Sequence, residues 1–307
     1  MCDPAVRSPI RDRPGCILAT REDGRQDAPC IVLLPGLGMC AEDWPDYLIE
    51  GLAARFRVLR IDNRDMGASP RFGADPDHGA TETLRSAEGG MASTGSYSLD
   101  DMAGDVIATL DARGIGRFWL LGFSMGGMIA QNVALRGPGR LEGLVLVSTS
   151  SEAGPFSAEV HDRFLRMCEP FEDKAALVRW IADDVAHFQA PCAPDEAQRM
   201  RMAEAMLAVG FTQGGFARQY RAIRATGSWR EGLKHIGCPA LIVCGAEDNC
   251  LPPARSQALS AAMPDADVDM VAGVGHSLEP ELCNPVLDWL DRQAAETGGT
   301  QQRIALP

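Results

Sequence analysis

The pentapeptide Gly122-Phe123-Ser124-Met125-Gly126 fits the pattern G-x-S-x-G, with an apolar run over 118–121 before it and a segment of helical periodicity from Met125 onward. A strand-to-helix turn tight enough to hold a serine in a strained backbone needs neighbours without side chains. Gly122, Gly126 and Gly127 supply them. Such a turn lifts the Ser124 hydroxyl to the carboxyl edge of a sheet, where open α/β sheets bind their ligands. A neutral hydroxyl is a weak nucleophile and needs a base. Of the five histidines, His276 is the candidate, because Ala272-Gly273-Val274-Gly275-His276 follows the last apolar run on a short glycine loop. His78 falls in a loose polar stretch, His161 and His187 in helical segments, and His235 just ahead of a strand-like run. The imidazole must be held in one tautomer by a carboxylate. Gly245-Ala246-Glu247-Asp248 follows the run 240–244, so Glu247 or Asp248 could provide it, whereas serines occupy 148 and 150–151 beyond the run 144–147. A tetrahedral intermediate needs two amide donors. The N–H of Met125 is one, and the turn Pro35-Gly36-Leu37-Gly38 can present that of Leu37 as the other. The chemistry that residues of these types and spacing could carry is acyl transfer through a serine.

The elements that position these residues follow from hydrophobic patterning. Apolar runs without polar alternation at 31–34, 58–61, 118–121, 144–147 and 240–244 read as parallel strands buried on both faces, and 267–271 alternates as a strand nearer the sheet edge does. Helical patterns over 44–54, 99–112, 125–135, 253–262 and 285–295 lie between and after them. Ser98 with Asp101 starts the second of these as a capping box, and Gly114 stops it. The alternation breaks between 154 and 237, where helices at 158–168, 174–186, 195–208 and 215–225 succeed one another with no strand. The chain therefore reads as one α/β core, residues 16–153 and 237–296, with a helical cap over 154–236 inserted between two strands of one sheet. The stretch 70–98, rich in Gly, Asp, Ser and Thr, is expected to be a loop. Flexible termini are expected over 1–15 and 297–307.

Other chemistries fit poorly. Gly36-x-Gly38 has Ala41 at the third position of a dinucleotide fingerprint, and no Gly-Lys-Ser/Thr follows to cradle a phosphate. Asp265, Asp267 and Asp269 mimic the start of a calcium loop, but Met270 stands where its turn glycine belongs. No H-E-x-x-H or comparable pair exists, so no metal and no cofactor are expected. The ten cysteines form no C-x-x-C, which argues for reduced thiols. A net charge of -13 disfavours nucleic acid and anionic ligands. Three arginines in the first fifteen residues precede no apolar run, and no stretch is long enough to span a bilayer. The expectation is a cytoplasmic protein acting on a small molecule, with no membrane partner and homodimerisation left open.

The segments Leu33-Leu34-Pro35-Gly36-Leu37-Gly38, Ile61-Asp62-Asn63-Arg64-Asp65-Met66-Gly67-Ala68-Ser69, Tyr97-Ser98-Leu99-Asp100-Asp101-Met102-Ala103, Gly122-Phe123-Ser124-Met125-Gly126-Gly127-Met128, Gly245-Ala246-Glu247-Asp248 and Gly273-Val274-Gly275-His276 together resemble the α/β-hydrolase family, and within it the bacterial esterase branch that includes the aclacinomycin methylesterases. The resemblance implies a mostly parallel central sheet flanked by helices, with an inserted helical cap. It also implies Ser124 as nucleophile, Asp248 as acid, His276 as base, and Leu37 and Met125 as oxyanion donors. Most members carry Gly where Asp65 stands. Arg64 is implied to be a structural residue of its turn. Phe123 and Ser277 depart from the Asn and Trp that carbon–carbon bond hydrolases of this fold often have there. Hydrolysis of an ester or lactone of an uncharged, apolar small molecule accounts for every constellation. An acyltransferase, perhydrolase or carbon–carbon hydrolase would use the same triad, and a non-catalytic receptor is the alternative of a different class. Met200, Ala203, Met206, Leu207 and Phe211 form an apolar face in the cap, and Met206 and Phe211 are the candidate substrate contacts.

Overall fold

Strand formation follows the apolar runs. A computed structural model describes residues 15–85 and 97–302. In chain order the elements are β1 (Thr20–Asp23), β2 (Cys30–Leu34), α1 (Asp46–Ala53), β3 (Arg57–Ile61), α2 (His78–Arg85), α3 (Leu99–Ala112), β4 (Phe118–Phe123), α4 (Met125–Arg136), β5 (Leu141–Val147), α5 (Ala158–Cys168), α6 (Lys174–Phe188), α7 (Glu196–Ala208), α8 (Gln213–Ala225), a 3-10 helix (Arg230–His235), β6 (Ala240–Gly245), α9 (Pro253–Ala262), β7 (Asp267–Val271) and α10 (Pro280–Gln302). Among the described residues one seven-stranded sheet runs in the order β1-β3-β2-β4-β5-β6-β7. All its pairings are parallel except that of β1 with β3.

Alternate residues of the central strands feed two cores. Val32, Leu34, Leu59, Ile61, Leu120, Leu144, Leu146 and Ile242 pack on one face with α3 and α4. Ile31, Leu33, Val58, Trp119, Leu121, Val145, Val147, Leu241 and Val243 pack on the other with Leu48 and Leu52 of α1 and Val286 and Trp289 of α10. A strand covered on both faces has no polar side to show, which is why these segments read as unbroken apolar runs. Helix α3 begins on the expected capping box, Ser98 accepting from the Asp101 N–H while the Asp101 carboxylate accepts from the Ser98 N–H. Four α-helices, α5 to α8, come between β5 and β6 with no strand among them. Among the described residues no helix is long and apolar enough to cross a membrane.

The structure differs from the sequence reading in four places. Strand β1, Thr-Arg-Glu-Asp, has no apolar residue, because it is an edge strand held by charge: Glu22 pairs with Arg57 at 2.8 Å and Asp23 with Arg60 at 2.8 Å. Helix α2 replaces part of the loop expected over 70–98. It buries only Ala80 and Leu84, and packing on α5 and α8 stabilises it where propensity does not. Residues 86–96 of that expected loop, the N-terminal stretch 1–14 with Cys2, and 303–307 lie outside the described residues. Helix α10 starts at Pro280 and not at Pro285, since burial of Leu282 and Cys283 in the added turn offsets the interior proline. It also runs on to Gln302, into the expected tail from 297, because each residue added to a formed helix gains a backbone bond at small cost.

Candidate active site

At the end of β4 the backbone turns at Ser124 into α4, and Ser124 adopts φ 53 and ψ -119, a conformation L-residues rarely take. The glycines around it are required by space. A Cβ on Gly122 would overlap the carbonyl of Gly126, one on Gly126 would overlap the carbonyl of Leu34, and one on Gly127 would lie 2.6 Å from Thr149 Cβ. The N–H of Ser124 donates to Val147 O at 2.9 Å, and the Thr149 hydroxyl donates to Ser124 O at 2.7 Å, so the end of β5 fixes the turn. The hydroxyl of Ser124 meets Nε2 of His276 at 3.0 Å. Nδ1 of the same ring lies 2.7 Å from Oδ2 of Asp248.

The loops after β6 and β7 carry this pair together. Ala246 and Glu247 N–H groups donate to Val271 O at 2.8 Å and Val274 O at 3.0 Å, and a Cβ on Gly245 would overlap the Val274 carbonyl. Asp248 is buried, and its Oδ1 accepts from the N–H groups of Cys250 at 3.0 Å and Leu251 at 2.7 Å. Both carboxylate oxygens are therefore engaged, one by backbone and one by the imidazole, and the side chain cannot rotate freely. Glu247, the alternative the residues alone left open, is exposed. Burial pushes the neighbouring Cys250 thiol well up, with the Asp248 carboxylate adding to the shift, so it stays protonated beside the pair. The ring of His276 also stands against Phe123, centroids 5.0 Å apart.

The turn after β2 lies directly against the serine. A Cβ on Gly36 would be 3.4 Å from Ser124 Cβ and 3.2 Å from Phe123 Cδ1. Met39 N–H donates to Gly36 O at 3.2 Å, and Gly38 has φ +76, so Leu37 and Gly38 are the central residues of a turn that needs glycine at its third position. Asn63 Nδ2 donates to Pro35 O at 3.2 Å. The N–H of Gly38 donates to Oε1 of Gln219, on α8, at 3.0 Å. Leu37, whose amide lies between these two anchors, and Met125, next after Ser124, are the two expected oxyanion donors, and the structure seats their segments side by side.

The helices between β5 and β6 contact the site at both ends. The carbonyl of Phe188, last residue of α6, accepts the N–H of His276 at 2.7 Å, and Asn249 Nδ2 donates to His187 O at 2.8 Å. At the other end a Cβ on Gly38 would lie 2.8 Å from the Phe216 ring and 3.2 Å from the Phe211 ring. Phe211 thus packs, buried, against the turn that lies beside Ser124. Met206, its companion in the sequence reading, packs half-buried against the main core. Patterning identified neither Phe188, Phe216, Asn63 nor Gln219. Asn63 sits in a motif that was read, but no pattern marks a single helix-borne glutamine.

Of the other histidines, His78 opens α2. His161 Nδ1 meets the Tyr220 hydroxyl at 2.5 Å, and burial lowers its pKa. Arg64 forms a buried bidentate pair with Asp105 at 2.5 and 2.6 Å, its guanidinium stacked over Phe72 and Tyr97, which leaves it a structural residue. Asp65 has φ 72, a left-handed conformation that glycine adopts more readily than other residues. Its carboxylate accepts from Arg218 at 2.7 and 3.0 Å, from the Tyr97 hydroxyl at 2.7 Å and from Phe72 N–H at 2.8 Å, and these bonds offset the strain. The nine described cysteines are free thiols, Cys192 being the exposed one.

Comparison with known proteins places the fold. The family model for the alpha/beta hydrolase fold matches residues 29–279. A protein named "Putative carbamate hydrolase RutD" from Agrobacterium fabrum is 28% identical over 269 residues, covering 85% of this chain and 93% of its own. Among solved structures, the enol-lactonase from Burkholderia xenovorans superposes with TM-score 0.70 at 24% identity, covering 91% of this chain and 96% of its own. A hydrolase from Pseudomonas aeruginosa does so with TM-score 0.64 at 26% identity, covering 94% of each chain. With a β4–Ser124–α4 turn, a mostly parallel seven-stranded sheet and a family match over most of its length, the chain belongs to the alpha/beta hydrolase fold family.

Proposed function

We propose that this protein is a serine hydrolase that cleaves a carboxylic ester or lactone of an uncharged, apolar small molecule through an acyl-enzyme. The observation that carries the reading is the continuous chain Ser124 Oγ, His276 Nε2, His276 Nδ1, Asp248 Oδ2, with links of 3.0 and 2.7 Å. In the first half-reaction His276 Nε2 takes the Ser124 proton as Oγ attacks the acyl carbon. The oxyanion accepts from the Leu37 and Met125 N–H groups, and Asp248 stabilises the imidazolium without taking its proton. Collapse of the intermediate expels the alcohol, which His276 protonates. In the second half-reaction water attacks the acyl carbon with His276 again the base, and the carboxylic acid leaves with Ser124 restored.

In this reading residues 154–236 act as a cap whose apolar face, with Phe211 at the turn and Met206 behind it, selects the substrate. The acidic surface disfavours anionic substrates at a distance. Ester is favoured over carbon–carbon cleavage because a carbon leaving group needs an electron sink, and Arg64, in the loop after β3, is held by Asp105. A cytoplasmic location and independence of metal and cofactor complete the proposal. The test is a panel of p-nitrophenyl esters of increasing chain length, lactones, methyl esters of polycyclic acids, carbamates and a vinylogous diketone. Highest kcat/KM on an ester or lactone supports the reading. Faster turnover of the diketone or of a carbamate would replace it.

A further inference from the structure

The turn that carries Leu37 is held at two points. Asn63, from the loop after β3, takes the Pro35 carbonyl, and Gln219, from α8, takes the Gly38 N–H. The first clamp belongs to the core. The second comes from the helices between β5 and β6, 181 residues away in sequence.

Gln219 is wholly buried, and both ends of its amide are used. Oε1 accepts from Gly38 N–H at 3.0 Å and Nε2 donates to Arg64 O at 2.8 Å. One partner can only donate and the other only accept, so the orientation of the amide is fixed by its neighbours. The rest of α8 is equally fixed. Arg218, the preceding residue, binds Asp65 with two nitrogens and Asp77 with a third contact at 3.0 Å, and Phe216 lies against Gly38. Arg64, whose carbonyl Gln219 grips, is itself locked to Asp105. The turn is therefore tied through one side chain to two buried ion pairs. Because Gln219 satisfies the Gly38 N–H, that amide is withdrawn from a ligand, and Leu37 remains the expected donor of the turn.

We propose that Gln219 is a positioning residue for oxyanion stabilisation, so that α8 belongs to the catalytic apparatus as well as to the wall of the binding site. This rests on the serine-hydrolase reading above. A turn containing two glycines over three residues has many accessible conformations, and a donor displaced by a fraction of an ångström loses much of its bond to a developing charge. The loss falls on the transition state, since a ground-state carbonyl asks less of the donor.

The test uses Gln219→Leu and Gln219→Glu in the full-length protein, with kcat, KM, Tm and the inhibition constant of a trifluoromethyl ketone, whose adduct with Ser124 imitates the tetrahedral intermediate. Gln219→Leu is expected to lower kcat by about 10- to 100-fold, as for a misplaced group near the chemistry, with KM changed less than about threefold. The inhibition constant should rise by the same factor as kcat/KM falls. Gln219→Glu keeps an acceptor for Gly38 N–H and should lose less. A merely structural glutamine would lower Tm while the folded variants kept wild-type kcat and inhibitor affinity, and that result overturns the proposal. If Gln219→Leu does not fold, Gln219→Glu decides by the same comparison of kcat/KM with inhibitor affinity. Wild-type protein that hydrolyses nothing in the panel and reacts with no fluorophosphonate would sink the parent reading and this one with it, whereas full activity in a folded Gln219→Leu sinks only this one.

Discussion

The backbone N–H of His276 donates to the carbonyl of Phe188 at 2.7 Å, so the base of the candidate triad is steadied by the last residue of α6, outside the core sheet. The neighbouring Gly275 is fitted to this contact: a Cβ there would overlap the Ala190 carbonyl and sit 2.7 Å from that of Phe188. Gly275→Ala must then push the loop away from α6 and carry His276 with it. The expected result is a fall in kcat of about 100-fold on p-nitrophenyl acetate, in keeping with a reacting group displaced by about 1 Å. Wild-type turnover in this variant would show that the loop position is not set by α6.

Asp248 and Glu247 stand side by side in sequence and are separated by burial. Asp248→Asn should lower kcat by about 10⁴, as loss of a triad carboxylate does where the imidazole takes the wrong tautomer. Glu247→Gln should change kcat less than about twofold, in line with an exposed side chain. Steady-state kinetics of the two variants would reverse this order only if Glu247 were the acid.

Phe211 packs against Gly38 of the turn beside Ser124 as part of the buried core, whereas Met206 lies half-buried on that core and has no contact with the turn shown. Phe211→Ser should raise KM for long or bulky esters more than for acetates, leaving kcat for acetates little changed, because apolar contact is worth about 25 cal/mol per Å² removed from water. Met206→Ser should have the smaller kinetic effect. Equal KM changes for short and long esters would place the Phe211 ring in packing and not in the substrate's path.

A pH effect on stability is expected from Asp184 on α6. Burial pushes its carboxyl from the ordinary 3.8 up to about 6, and the bond from Arg163 at 2.8 Å offsets this only in part. A carboxyl raised on folding binds more protons in the native than in the unfolded state between those two pH values, so its contribution to stability is lost as pH rises from about 4 to 6. Asp184→Asn does not titrate. Its Tm relative to wild type should therefore become more favourable between pH 4 and pH 7 and stay level above that. A difference independent of pH would mean that Arg163 fully compensates the burial.

The sheet and the site were legible to different degrees, for physical reasons. Strands β2 to β6 are covered on both faces and announce themselves as apolar runs, while β1 is held by Glu22 and Asp23 against arginines of β3, a pattern that resembles a polar loop. The Ser124 turn was legible because strain and crowding demand glycines at fixed places. Asp248 could not be told from Glu247 by residue type, since only the fold decides which one is buried. Gln219 left no trace, because its role depends on a contact 181 residues away.

The most direct test of the central claim is to treat the protein with a fluorophosphonate, locate the adduct by peptide mass spectrometry, and measure ester turnover of Ser124→Ala beside it. The account predicts one adduct, on Ser124, its absence in the variant, and loss of hydrolysis with Tm unchanged, since Ser124 bonds Val147 and Thr149 through its backbone N–H and C=O groups. Labelling of a different serine, or wild-type turnover by Ser124→Ala, would contradict it.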